Sequence, residues 1–211
     1  MSATEVLSLL LVISVALTFL FWLRIPRPLE SLFARAGWLF IVAMALELGG
    51  FITRFYCWNN TPVYNAFQLY EFLLMLMLIG ITEPTLRPTA GILGLFGSFA
   101  FIAILLQQGT WSLLMTDAIL VFSASLSILL MRVLYLRAKH SEEALHRLPA
   151  FWLFMGCLVY FGGLVPTIGG IRLLYGIDPV QAAQLWIVVP ILAIIRYGLT
   201  AWACHLVGRS E

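Results

Sequence analysis

Seven apolar stretches of roughly twenty residues, parted by short polar breaks, leave this chain few ways to fold. The breaks place the stretches at about 4–23, 36–53, 63–82, 89–106, 111–130, 149–169 and 181–204. The first stops at Arg24-Ile25-Pro26-Arg27-Pro28 and the third at Glu83-Pro84, while Pro84 and Pro88 part the third from the fourth. A helix of about 20 residues crosses the hydrocarbon core of a bilayer. In lipid only a helix satisfies all its backbone hydrogen bonds within one such segment. Composition agrees: 62% of residues are hydrophobic and 10% charged, against about 25% charged in soluble domains. The expected fold is all-α, a polytopic bundle of seven transmembrane helices forming a single domain over residues 1–211, with lipid as its surroundings. The stretch from Val6 to Leu23 lacks a basic segment before it, so it reads as a retained first span rather than a cleaved signal.

Charge orients the bundle. Arg24, Arg27, Arg35, Arg87, Arg132, Arg137, Lys139, Arg147 and Arg209 fall on one side of the expected membrane, and only Arg54 and Arg172 on the other. Basic residues favour the cytoplasmic face, so the N-terminus is expected outside and the C-terminus inside. The bias holds only for an odd number of spans. Trp22, Trp38, Trp152 and Trp202 fall near expected inner ends, and Trp58, Trp111 and Trp186 near outer ends, as an interfacial aromatic belt requires. Cys57, Cys157 and Cys204 fall at different depths, so no disulfide is expected among them. The net charge of +2 is small and does not point to nucleic acid, and no nucleic-acid partner is expected.

Two patterns concern packing. Ala90, Gly94 and Ser98 recur every four residues on the fourth span, as do Ser123 and Ser127 on the fifth, and small residues at that spacing let helices approach closely. The segments opening the third and seventh spans, Pro62-Val63-Tyr64-Asn65-Ala66-Phe67-Gln68-Leu69-Tyr70 and Pro179-Val180-Gln181-Ala182-Ala183-Gln184-Leu185-Trp186, align with one gap. They suggest a 3+1+3 arrangement of parallel repeats, with chance use of proline at helix starts as the rival explanation.

Ionisable groups inside a bilayer are costly unless paired or hydrated, so Glu47, Glu71, Asp117 and Arg196 are the first functional candidates. From the expected boundaries the three acids lie at one depth, roughly 9–12 Å below the outer face. Tyr64, Gln68 and Glu71 share a helical stripe, and Glu47 and Arg54 share another. One reading is an outward-facing cavity lined by Glu47, Arg54, Asn65, Gln68, Glu71 and Asp117, open to a small ligand or a partner helix. The other is a set of hydrogen bonds that tie the spans together. Arg196, about 20 Å from the outer end of its span, is expected either to pair with a cavity acid or to reach toward the cytoplasm. His140, His146 and His205 lie at cytoplasmic ends, so no metal site is expected. No nucleophile and base stand together, and no cofactor is expected.

Three stretches carry a family resemblance: Asn59-Asn60-Thr61-Pro62-Val63-Tyr64-Asn65 continuing to Tyr70-Glu71-Phe72, Phe151-Trp152 through Tyr160-Phe161-Gly162, and Leu185-Trp186 through Ile195-Arg196-Tyr197. They resemble a family of seven-span bacterial membrane proteins without an assigned activity. Its members are often associated with sensor kinases or regulators, which implies a signalling role, a membrane or cytoplasmic partner, and a bacterial inner membrane. Retinal is excluded, because the only lysine, Lys139, lies in a loop rather than in the last span. The layout is similar to that of the sugar-transporting SWEET proteins, though their proline arrangement is not clearly present. A receptor-like or signalling subunit is the first expectation for function. A small-solute or proton-coupled transporter is the second, and an intramembrane enzyme using Glu47 and Glu71 as acid and base is the third.

The charge bias generates a direct test. Reporter fusions after Pro62 and after His140 should read external and cytoplasmic respectively; the same side for both would undo the span assignment.

Overall fold

The computed structural model describes residues 3–54, 56 and 58–209; Cys57 and the side chain of Arg54 lie outside them. Within the described residues the chain is helix and turn, with no strand. The helices are α1 (Ala3–Leu23), α2 (Ser31–Arg54), α3 (Thr61–Thr82), α4 (Arg87–Gln108), α5 (Thr116–His140), α6 (Pro149–Tyr175), α7 (Pro179–Leu185) and α8 (Val188–Val207). Single 3₁₀ turns at Pro84–Leu86 and Leu145–Arg147 lead into α4 and α6. Seven helices are long and apolar enough to cross a membrane, α7 and α8 together forming the last at Pro179–Val207. The chain is a multi-pass membrane protein.

Neighbours pack in the order α1, α2, α3, α5, α6, α8 and back to α1, which closes a ring; α4 stands outside it against α3 and α5. The sequence of α4 explains its place. Ile92, Leu95, Phe96, Phe99, Ile102 and Leu106 are exposed on one side, where lipid accepts them. The opposite side is small. A Cβ on Gly97 would fall within the ring of Phe72, and that ring stacks on Phe122 with centroids 4.2 Å apart. The small-residue face of α4 is thus spent inside the molecule, on α3 and α5.

The two halves of the ring differ in how they are filled. On α2 the buried residues run from Leu32 to Ala43, on α3 they concentrate from Glu71 to Gly80, and on α8 they begin at Ala193. These segments share the end of the bundle that holds the α1–α2, α3–α4 and α5–α6 connections. There Phe33, Leu39, Phe40, Met75, Leu78, Ile79, Leu130, Leu153 and Phe154 form a close-packed core. Trp22 belongs to this core rather than to an interfacial belt: its Nε1 donates to the Phe33 carbonyl at 2.9 Å. Arg137 ties α5 to the end of α3, pairing with Glu83 at 3.1 Å and donating to the Thr82 carbonyl at 2.9 Å.

The other end, holding the α2–α3, α4–α5 and α6–α7 connections, is looser and held by side-chain hydrogen bonds. Asp178 caps α7, its Oδ1 accepting from Val180 and Gln181 at 3.0 and 3.2 Å. Asn59 donates to the Ser112 carbonyl at 3.0 Å, joining two connections. Asn65 does more. Its Nδ2 donates to the carbonyls of Trp111 and Leu113 at 3.1 and 2.9 Å, and its Oδ1 accepts from the Met115 amide at 3.1 Å. These bonds hold 111–115 in an irregular path, so α5 begins at Thr116 rather than at Trp111 as the apolar run suggests.

The last span is broken. Trp186 and Ile187 bond to carbonyls three residues back, at 3.3 and 3.2 Å, a 3₁₀ tightening of the chain. Pro190 follows and has no amide with which to bond the Trp186 carbonyl. The comparison of the third and seventh spans ends there: α3 continues unbroken to Thr82, while α7 stops at Leu185.

Asn65→Leu removes a buried amide that serves three backbone groups, and stability should fall by about 1–3 kcal/mol in detergent unfolding. Unchanged stability would show that this connection is held by other contacts.

Candidate functional site

A cavity of about 610 Å³ occupies the loosely packed half of the ring. It is lined by α1, α2, α3, α5, α6 and α8, and α4 contributes nothing to its lining. Trp58, Asn60 and Thr61 at the α2–α3 connection, Phe51 at the end of α2 and Trp186 at the α7–α8 break line its upper part. Tyr160, Arg196, Tyr197, Glu71 and Leu126 line its floor. The lining residues lie between the α2–α3 end of the bundle and the middle of their helices, so the cavity runs from that end to mid-span and stops.

The floor is an ion pair. Arg196 Nη1 lies 2.5 Å from Glu71 Oε1, with side-chain exposures of 3% and 6%, so neither charge is shared with bulk water. Glu71 is ten residues into α3, about 15 Å along the helix, near the middle of the span. Arginine keeps its charge in essentially any protein environment, and a lone cation at that depth is costly. Glu71 supplies the compensating charge, from a position 125 residues away in sequence.

Aromatic rings surround the guanidinium. Its Cζ lies 4.9, 5.2 and 5.5 Å from the ring centres of Tyr160, Phe161 and Tyr197, within the range of cation–π attraction. Close backbone approach fits α6 against α8 here. A Cβ on Gly156 would meet the Arg196 carbonyl at 3.0 Å and Leu199 at 3.1 Å. Thr18 of α1 donates to the Tyr197 carbonyl at 2.8 Å, fixing the third helix at the pair. Arg196 Nη2 is buried without a hydrogen-bond partner, and so is Gln68 Oε1.

The structure separates the candidates taken from sequence. Glu47, Gln68, Glu71 and Arg196 line the cavity, as does Tyr64, so the stripe Tyr64, Gln68, Glu71 does face one space. Asn65, one residue off that stripe, turns away to the α4–α5 connection and does not line it. Asp117 does not line it either. It sits in the first turn of α5, half-exposed, and pairs with Arg172 in the last turn of α6. The later start of α5 moves Asp117 from the depth expected for it to the end of the helix, beside a basic residue of the same end. Arg54 closes α2, and its side chain lies outside the described residues. Sequence reasoning missed the ring cage of Tyr160, Phe161 and Tyr197. An arginine inside an apolar span needs partners, and aromatics at mid-span were the available signal.

No family model, curated protein or solved structure matches this chain. The floor draws on separate parts of the sequence: Glu71 from α3, Tyr160 from α6, and Arg196 and Tyr197 from α8.

The two ion pairs should behave differently. Glu71→Gln leaves Arg196 buried without a counter-charge and should destabilise the protein by about 3–5 kcal/mol. Asp117→Asn breaks a half-exposed pair and should cost no more than about 1 kcal/mol. Detergent unfolding of both variants checks the contrast, and equal losses would contradict it.

Proposed function

We propose that this chain is a receptor-like subunit of a bacterial inner membrane, with its N-terminus outside, that takes a small ligand into the cavity from the external side and passes the event to a partner protein. The observation that carries this reading is the single-ended cavity: it reaches from the α2–α3 connection to the Glu71–Arg196 pair, and close-packed core fills the ring beyond. Its volume falls in the range of about 300–1,000 Å³ common to small-molecule sites. A ring of helices encloses it, which favours a small ligand over a partner's helix, itself about 10 Å across. The family resemblance supports a signalling context. The positive charge at the opposite end supports the external direction of the opening.

A second reading is a small-solute transporter. The break between α7 and α8 favours it, because it lines the cavity and discontinuous spans are a recurring feature of transporters. The ring order, with α4 outside, is compatible with 3+1+3 parallel repeats.

The readings part on access. In a Cys57→Ser background, Ala193→Cys places a thiol on the cavity wall. A membrane-impermeant thiol reagent should label it from the external side only, whatever solutes are present. Labelling from the cytoplasmic side as well would favour alternating access and overturn the receptor-like reading.

A further inference from the structure

We infer that the cavity takes a small organic cation, an ammonium group on an apolar or aromatic body, with the ammonium held by Glu47. This rests on the small-ligand reading above and names the chemistry of the ligand. Charge is the first reason. Among the described residues the cavity is lined by two carboxylates, Glu47 and Glu71, and one guanidinium, Arg196. Arg196 is committed to Glu71 at 2.5 Å, and both side chains of that pair are buried. Glu47 therefore leaves the lining with one negative charge in excess. An anion would meet two carboxylates and a guanidinium that is already paired. A neutral molecule would leave the excess as it was. A cation offsets it, and the attraction is stronger in a cavity walled by protein than in open water.

Position makes Glu47 the point of contact. It is only partly buried, whereas Glu71 is buried. It lies seven residues from the end of α2, about 10 Å along the helix, and so nearer the opening than the Glu71–Arg196 floor. Its charge is felt by Tyr160 of α6 and Tyr197 of α8. Neither helix is a ring neighbour of α2, so the carboxylate faces across the ring. One turn closer to the opening, a Cβ on Gly50 would meet the Tyr64 hydroxyl at 2.6 Å, which sets that ring against the same stretch of α2. Glu47 is engaged within the protein as well, and it need not be free, because a carboxylate accepts several hydrogen bonds at once. Aromatic rings supply the rest. Phe51, Trp58, Tyr64, Phe67 and Trp186 also line the cavity, and the face of an aromatic ring attracts a cation while accepting an apolar body.

Benzylammonium, benzyl alcohol and benzoate are similar in shape and carry positive, no and negative charge at neutral pH. Each is titrated against the full chain in nanodiscs of zwitterionic lipid, reading the rise in unfolding temperature. Benzylammonium should bind more tightly than either of the others by about tenfold or more, the discrimination expected of one hydrogen bond to a charged group. Glu47→Gln should lose that preference and Glu47→Asp should keep it. If Glu47→Gln does not fold, the thiol of Ala193→Cys in the Cys57→Ser background reads the same site with Glu47 intact. Benzylammonium should protect it from an uncharged thiol reagent at concentrations where benzyl alcohol does not, and equal protection would count against the inference. Equal binding of benzyl alcohol would overturn the cation inference while leaving a ligand cavity in place. So would tighter binding of benzoate, the outcome expected if Arg54 at the end of α2 sets the charge of the opening, and so would a preference for benzylammonium that survives Glu47→Gln. No stabilisation by any of the three would overturn the cavity reading as well.

Discussion

A buried guanidinium must have a counter-charge, and in this protein that requirement joins α3 to α8 at mid-membrane. The lone cationic residue within the last span cannot neutralise itself and lies too deep for lipid headgroups. Glu71 meets it, and the contact reaches across the ring between two helices that do not pack as neighbours. Gly156 and Thr18 then fit α6 and α1 around the same point, and the rings of Tyr160, Phe161 and Tyr197 fill the space that water would otherwise take. Such a pair adds little net stability over apolar packing but is damaging when half of it is lost. Its value lies in fixing which helices meet and at what depth.

The pair also divides the bundle. On one side large apolar side chains interlock, and the connections are held by Arg137 and by the Trp22 indole. On the other, helices are held apart around a cavity, and their connections depend on Asn59, Asn65 and Asp178. Polar side chains that hold loops at one end and a charged floor at the other let that half stay open without collapsing. The break before Pro190 belongs to the open half, where Trp186, Val189 and Pro190 line the cavity.

The spans were legible because about twenty apolar residues between polar breaks leave a helix in lipid as the main solution. Their ends were less so. α5 begins at Thr116 because Asn65, on another helix, captures the preceding backbone, and no local pattern announces a contact across 50 residues. That shift alone misplaced Asp117. The stripe Tyr64, Gln68, Glu71 was legible from helical periodicity, since all three lie on one uninterrupted helix. Arg196 stood out as a charge in an apolar span, but the choice between Glu47, Glu71 and Asp117 as its partner depends on how the ring closes. The ring cage was hidden among many aromatic residues, most of which face lipid or core.

The central claim is that Glu71 and Arg196 form one unit, and a double-mutant cycle tests it most directly. Glu71→Leu, Arg196→Leu and the double variant are unfolded alongside the parent protein. If the pair is a unit, each single change leaves a buried charge alone, and the double variant is more stable than either single one. Losses that simply add would mean that the two side chains act independently, and the account of the cavity floor would fail.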